Sequence, residues 1–63
     1  MTESTLYIIS EACVRENISL HPDTVFISTA PGVYQWTQYQ HGAPPVLMVA
    51  ALKGNHVSIY EKL

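Results

Sequence analysis

Three turn signals divide the second half of the chain into short segments. They are Pro31-Gly32, a glycine- and proline-containing loop at 41–45, and Gly54-Asn55. In the first, proline presets one central φ and glycine supplies a positive second φ, which predicts a type II turn over residues 30–33. The third predicts a tight hairpin turn, because glycine and asparagine both tolerate positive φ. Connections this short favour antiparallel neighbours.

The segments between these signals predict four strands, at residues 24–29, 33–40, 46–52 and 56–62. The first is almost entirely β-branched or aromatic, a composition typical of strands. The third is a continuous apolar run, which is typical of a strand buried on both faces.

The segment from Leu6 to Ile18 is ambiguous between strand and helix. Leu6-Tyr7-Ile8-Ile9 is rich in β-forming residues and favours a strand over 5–14. A helix over 10–18 is the alternative, but its apolar positions make a poor stripe at helical spacing. The sequence therefore predicts a mainly β, β-rich α+β fold. We expect one domain, residues 1–63, with about five short, mostly antiparallel strands in a curled sheet or small open barrel, and at most one short helix.

Charge and cysteine usage narrow the function classes. The chain has three basic and five acidic residues, a net charge of −2. Direct nucleic-acid binders need several Lys or Arg on phosphates, so that class is disfavoured. A single cysteine cannot form an internal disulfide, no signal peptide is recognisable, and the longest apolar run is too short to span a bilayer. We expect a cytoplasmic protein without membrane contact.

No group of residues predicts catalysis or metal binding. The three histidines lack the paired spacing of zinc sites: His21, His41 and His56. Cys13, flanked by Ala12 and Val14, is more typical of a small buried hydrophobe than of a nucleophile. A chain of this length also has little room to enclose a substrate. We therefore expect no metal, no cofactor and no enzymatic activity.

Aromatic residues are concentrated in one part of the sequence: Phe26, Tyr34, Trp36 and Tyr39. In so small a protein most of them belong in the core, but tryptophan and tyrosine also anchor interfaces. The function class that these observations favour is binding to another protein.

One segment suggests a family. Residues 8–14 read apolar, apolar, polar, Glu, small, apolar, apolar. This resembles the first strand of the phage uracil-DNA glycosylase inhibitors, Val-Ile-Gln-Glu-Ser-Ile-Leu. Residues 23–30 resemble that family's second strand, Asp-Ile-Leu-Val-His-Thr-Ala, and 45–49 resemble Pro-Trp-Ala-Leu-Val. The matched parts cover about half of the chain, in the same order.

The resemblance implies a DNA-mimicking inhibitor that blocks the DNA groove of a host uracil-DNA glycosylase, in the host cell cytoplasm if the chain is phage-encoded. It implies that an edge strand would enter the groove, with Glu11 matching the family's glutamate, and that the sheet would capture a protruding apolar side chain. The implied partner-binding residues are Ser10, Glu11, Ala12 and Cys13 on the edge strand, and Phe26, Trp36 and Val49 on the sheet.

Two other classes stay open. One is a small SH3-like β-barrel adaptor, or a homo-oligomeric assembly protein, that binds a peptide or protein partner. The other is a DNA-binding accessory with residues 10–25 as a helix-turn-helix. The sequence decides neither the identity of the partner nor whether the chain forms a homodimer.

Overall fold

The fold is one helix packed on one face of a four-stranded sheet. The computed structural model describes residues 1–62, so the last residue of the predicted 1–63 domain lies outside the described part. Its elements are α1 (Glu3–Arg15), β1 (Ile27–Ala30), β2 (Val33–Gln38), β3 (Val46–Lys53) and β4 (His56–Glu61). The strands form a single antiparallel sheet in the order of the chain, β1-β2-β3-β4, and the sheet does not close into a barrel. The predicted mainly β, antiparallel fold with one short helix is confirmed.

The helix begins with a side-chain cap. The Oγ1 of Thr2 accepts a 3.1 Å hydrogen bond from the backbone N–H of Thr5, which satisfies one of the donors left free at a helix start. Glu3 in the first turn and Arg15 in the last turn have charges that complement the helix dipole.

The helix ends in a Schellman motif. Asn17 adopts a left-handed conformation with φ of +58°, which asparagine tolerates better than most residues. The N–H of Ile18 donates to the carbonyl of Cys13 at 2.8 Å, and the N–H of Asn17 donates to that of Val14 at 3.1 Å. Ile18 then packs against the core, so the cap also sets the direction in which the chain leaves the helix.

The predicted strand over 5–14 is wrong, because these residues lie within α1. The buried positions Ile9, Ala12 and Cys13 are spaced i, i+3, i+4, which is one face of a helix. On a strand, Ala12 and Cys13 would point to opposite faces. The alternative helix over 10–18 is also misplaced, since it omits Ile9. The helix-turn-helix interpretation is wrong as well, because a loop and no second helix follows within described residues 16–26.

The remaining strands lie close to their predicted positions, and both predicted turns occur. Gly32 has a φ of +74°, as a type II turn requires at its second central position. Gly54 has a φ of +62°, which fits a hairpin turn with glycine at its first central position. The strand predicted at 24–29 is shorter and later, and that predicted at 33–40 ends earlier. Among the described residues, no helix is long and apolar enough to cross a membrane.

The core lies between α1 and one face of the sheet. The helix contributes Ile9, Ala12 and Cys13, and the facing side chains come from β2, β3 and β4: Trp36, Met48, Ala50 and Val57. Three consecutive β3 residues, 48–50, are buried, which confirms the predicted two-sided burial at the centre of that strand.

Within residues 1–62, the opposite face of the sheet carries no helix. Because side chains alternate along a strand and cross-strand partners share a face, Gln35, Val49 and Tyr60 form one row on this side. Ile27 continues the row on β1. Val49 is nearly fully buried between its neighbours, whereas Tyr60 and Ile27 are more than half exposed. We call this surface the helix-free face.

Candidate functional site

The four residues expected on an edge strand lie on α1 instead. Ala12 and Cys13 are 1% exposed and belong to the core, so only Ser10 and Glu11 of this group reach the surface. The phenolic O–H of Tyr7 donates to Oε1 of Glu11 at 3.0 Å. This hydrogen bond, together with the charge of the carboxylate, raises the pKa of Tyr7. Glu11 is thus held on the outer surface of a helix rather than along an open strand.

The three residues expected to line a capture pocket do not share one surface. The Phe26 and Trp36 rings contact each other, with centroids 5.2 Å apart and planes tilted by 53°. Trp36 is 1% exposed and faces the helix, as does its cross-strand partner Met48. Val49 lies on the helix-free face. These residues therefore stabilise the two sides of the sheet and form no common cavity.

The structure has a cleft beside β2 that the sequence did not predict. It has a volume of about 500 Å³, within the range of small-molecule and side-chain binding sites. One wall is the loop that leads into β1, and the floor is formed by β2 and β3. We call it the β2 cleft, and its lining residues are His21, Asp23, Thr24, Val25, Ile27, Gln35, Trp36, Thr37, Tyr39 and Leu47.

The β2 cleft exposes apolar side chains. Val25 is 72% exposed, Ile27 60% and Tyr39 74%. Leu47 adds a fourth apolar side chain at the floor. Scattered apolar residues are common on protein surfaces, but a group that lines one concave region marks a binding site more often than a flat surface does.

The β2 cleft also contains backbone N–H and C=O groups of β2 that are not paired with another strand of the described chain. The N–H of Leu52 donates to the carbonyl of Gly32, so alternate residues from Gly32 onward direct their backbone groups at β3. The residues between them, including Thr37, direct their backbone N–H and C=O groups toward the β1 side of β2. The β1–β2 pairing ends at Ile27 and Gln35, and within residues 1–62 no backbone hydrogen bond reaches Thr37 on that side.

His21 and Asp23 form the polar rim of the cleft. The backbone N–H of Asp23 donates to Nδ1 of His21 at 3.2 Å. The same Nδ1 lies 3.8 Å from a carboxylate oxygen of Asp23, which is too long for a hydrogen bond. An Nδ1 that accepts the amide proton does not donate to the carboxylate, so the two side chains are not joined by a hydrogen bond. The carboxylate of Asp23 is the acidic group at the rim.

Cys13 has a free thiol that lies in the core. Burial, assisted by the charge of Glu16, raises the pKa of the Cys13 thiol, which makes it a poor nucleophile at neutral pH. No group of three or more His, Cys, Asp or Glu side chains in residues 1–62 is placed to hold a metal ion.

Sequence reasoning missed the β2 cleft because its walls are distant in the sequence. The signal that could have indicated part of it is the length of the loop before β1. Residues 16–26 lie between the helix and the first strand, and several of them must run along the sheet.

A comparison with protein-family models, curated proteins and solved structures finds no match for this chain.

Proposed function

We propose that this chain is a non-enzymatic protein-binding module that receives an extended segment of a partner protein in the β2 cleft. The observation that supports this most directly is the combination of exposed apolar side chains with an unpaired strand edge at the same place. Val25, Ile27 and Leu47 supply the apolar lining, and Thr37 supplies free backbone groups.

The mode of binding follows from these two elements. An extended segment that lies along the outer edge of β2 can exchange backbone hydrogen bonds with Thr37, as strand-addition ligands do. Alternate side chains of such a segment point to the helix-free face. One of them, if apolar, is placed to enter the cleft and cover Ile27 and Leu47.

The rim adds a charge preference. Asp23 is 92% exposed at the side chain and lies beside the apolar lining. A partner segment with a Lys or Arg next to its apolar residue would pair with this carboxylate, whereas an acidic segment would be repelled. The contribution of such an exposed pair to affinity is small, about 0–1 kcal/mol, but it discriminates between segments of opposite charge.

A peptide-library selection on the folded protein tests the proposal. The expected result is a set of peptides that share an apolar residue flanked by Lys or Arg, and whose binding shifts the amide NMR signals of Thr37 and Ile27. Ile27→Lys should abolish binding. Val14→Lys, a matched change on the outer surface of the helix, should leave it unchanged.

Two results would contradict the proposal. Peptides that bind the Val14→Lys variant less well than the Ile27→Lys variant would place the site on the helix. If no peptide shifts the signals around the β2 cleft, the cleft is not a binding site.

Inhibition of a uracil-DNA glycosylase is the second candidate function. The observation in its favour is that the β2 cleft has an apolar floor and a volume suited to a protruding apolar side chain, which the family resemblance requires. The partner contact would involve Glu11 on the helix surface or the cleft, since residues 8–14 form no edge strand.

A uracil-excision assay with a bacterial glycosylase, titrated with this protein, tests that candidate. The expected result is stoichiometric inhibition that is lost in Ile27→Lys or Glu11→Gln, with Val14→Lys as the control. Trp36→Ala is unsuitable as a probe, because the indole is buried and its loss would unfold the sheet. No inhibition at large excess would reject the candidate.

A further inference from the structure

The two outer edges of the sheet are built differently. β1 has four residues, and its pairing with β2 is interrupted by a register shift between Ser28 and Ala30. Short strands and bulges protect an edge against further pairing. β4 has six residues, pairs with β3 in six consecutive positions without a shift, and contains no proline. No strand in the described part of the chain covers its outer side.

The backbone groups that face outward on β4 can be identified. The N–H of Lys62 donates to the carbonyl of Leu47 at 2.8 Å, so even-numbered residues of this segment direct their backbone groups at β3. The backbone N–H and C=O groups of Val57, Ile59 and Glu61 therefore point away from β3, toward the outer edge of the sheet. On the helix side of β4, burial falls from Val57, which is buried, through Ile59 to Glu61, which is exposed.

We propose that β4 pairs antiparallel with β4 of a second copy of this chain, across a two-fold axis at Ser58. This joins two four-stranded sheets into one continuous sheet of eight strands, with both helices on the same side. The pairing is independent of the proposed partner-binding function, because the β2 cleft lies on the other side of β3.

Symmetry restricts the register of such a pair. A two-fold axis perpendicular to the sheet requires paired residues to share a face, and pairing centred on Ser58 meets this condition. It places Val57 opposite Ile59 on the helix side and His56 opposite Tyr60 on the helix-free face.

The neighbouring register, centred on Ile59, is less favourable. It sets the carboxylate of Glu61 opposite the apolar Val57. Paired apolar or aromatic side chains contribute to stability, whereas an apolar side chain opposite a carboxylate does not. The register centred on Ser58 avoids this pair and places Val57 opposite Ile59 instead.

A second copy fits this edge because the edge is complementary to itself. Residues 57–60 have no formal charge, so two copies meet there without repulsion. Val57 and Ile59 of both copies would form a continuous apolar group that extends the core across the junction. A core as small as the one described gains from such an extension, because single domains of this size are marginal in stability.

Charge substitutions at Ser58 test the pairing. Sedimentation over a range of protein concentrations should show a dimer for the wild-type chain and for Ser58→Gln. Ser58→Lys and Ser58→Glu each place like charges opposite each other and should raise the dimer dissociation constant about fivefold at low salt. An equimolar mixture of the two should recover the wild-type dissociation constant.

Disulfide trapping tests the register. Two residues at position 58 would form a non-hydrogen-bonded pair with Cα atoms about 4.5 Å apart, within the range that a disulfide spans. Under mild oxidation, Ser58→Cys should therefore form a covalent dimer at least tenfold faster than His56→Cys, whose new thiol would face Tyr60. Cys13 is buried and present in both variants, so it contributes the same background.

The following results would overturn the proposal. They are a wild-type chain that stays monomeric at its highest soluble concentration, large polydisperse species in place of a closed dimer, and equal trapping rates for the two cysteine variants. Circular dichroism of each variant verifies that the monomer fold is retained.

Discussion

The indole Nε1–H of Trp36 donates a 3.1 Å hydrogen bond to Oε1 of Gln38, two residues further along the same strand. The amide nitrogen of Gln38 in turn donates to the carbonyl of Ser19. A single glutamine therefore satisfies the one polar atom of the buried indole and fastens the loop after the helix to β2.

Replacing Gln38 tests this relationship. Gln38→Leu leaves the indole N–H without its acceptor, and we expect the free energy of unfolding to fall by about 1–3 kcal/mol. Gln35→Leu is the control, because Gln35 lies on the opposite face of the same strand. Urea denaturation followed by the fluorescence of Trp36 measures both. Equal costs for the two variants would contradict the role assigned to Gln38.

The turn between β1 and β2 leaves no space for a side chain at Gly32. A Cβ at this position would lie 2.7 Å from the carbonyl oxygen of Leu52, and the φ of +74° disfavours any L-residue. We expect Gly32→Ala to cost more than about 1–3 kcal/mol, the usual cost of a strained backbone conformation alone.

Gly54 provides the matched control for that prediction. Its φ is also positive, at +62°, but a Cβ added there would have no neighbouring atom within 4 Å. Gly54→Ala should therefore show only the conformational cost, and its thermal midpoint should exceed that of Gly32→Ala. The reverse order would mean that the contact with Leu52 is not the deciding factor.

The helix packs on the sheet through Ile9, which is fully buried. Ile9→Ala should reduce stability by about 2–5 kcal/mol, comparable with the whole stability expected of a domain this size. Val14→Ala, on a position 77% exposed, should change it by less than about 0.5 kcal/mol. Chemical denaturation followed by circular dichroism measures both. A larger cost at Val14 would indicate that a different helix face packs on the sheet.

The buried thiol predicts a pH dependence. Because burial raises the pKa of Cys13 in the folded state, the unfolded chain loses this proton first as the pH rises. The stability contributed by the neutral thiol is therefore fully present below about pH 8.5, the ordinary thiol value, and is lost as the pH rises through the folded-state pKa.

Denaturation at pH 7 and pH 10 measures that loss. The wild-type chain should lose more stability between the two pH values than Cys13→Ala, which has no thiol to titrate. Tyr7, whose pKa is also raised, titrates in both proteins and cancels in the comparison. An identical loss in both proteins would show that the thiol is accessible to solvent.

The sheet could be predicted from the sequence because its signals are local. Pro31-Gly32 and Gly54 determine backbone angles at the turns, and the residues between them have strong β propensity. Each strand pairs with the next along the chain, so no distant pairing had to be found.

The helix could not be predicted in the same way, because its signals are in conflict. Leu6 to Ile9 have β propensity, and only tertiary packing gives Ile9 its role as the first core position of a helix. Two local signals were present but weak: the cap at Thr2 and the left-handed Asn17 that ends the helix.

The candidate site was the least predictable part. The edge strand expected around Glu11 depended on the secondary structure of residues 5–14, which is helical. The β2 cleft depends on the path of a loop over the sheet, and the residues of that loop have no regular pattern. The position of Val49 on the face opposite Trp36 follows from strand register, which the sequence left open.

The order of the strands has a consequence for avidity. The β2 cleft lies beside β2, whereas the outer edge of β4 is the opposite end of the sheet, so a dimer formed through β4 keeps both clefts open. The two β2 strands would then lie about 24 Å apart, five strand spacings of about 4.8 Å. A partner that carries two suitable segments could occupy both clefts at once, and its second contact would form at the high effective concentration of an intramolecular step.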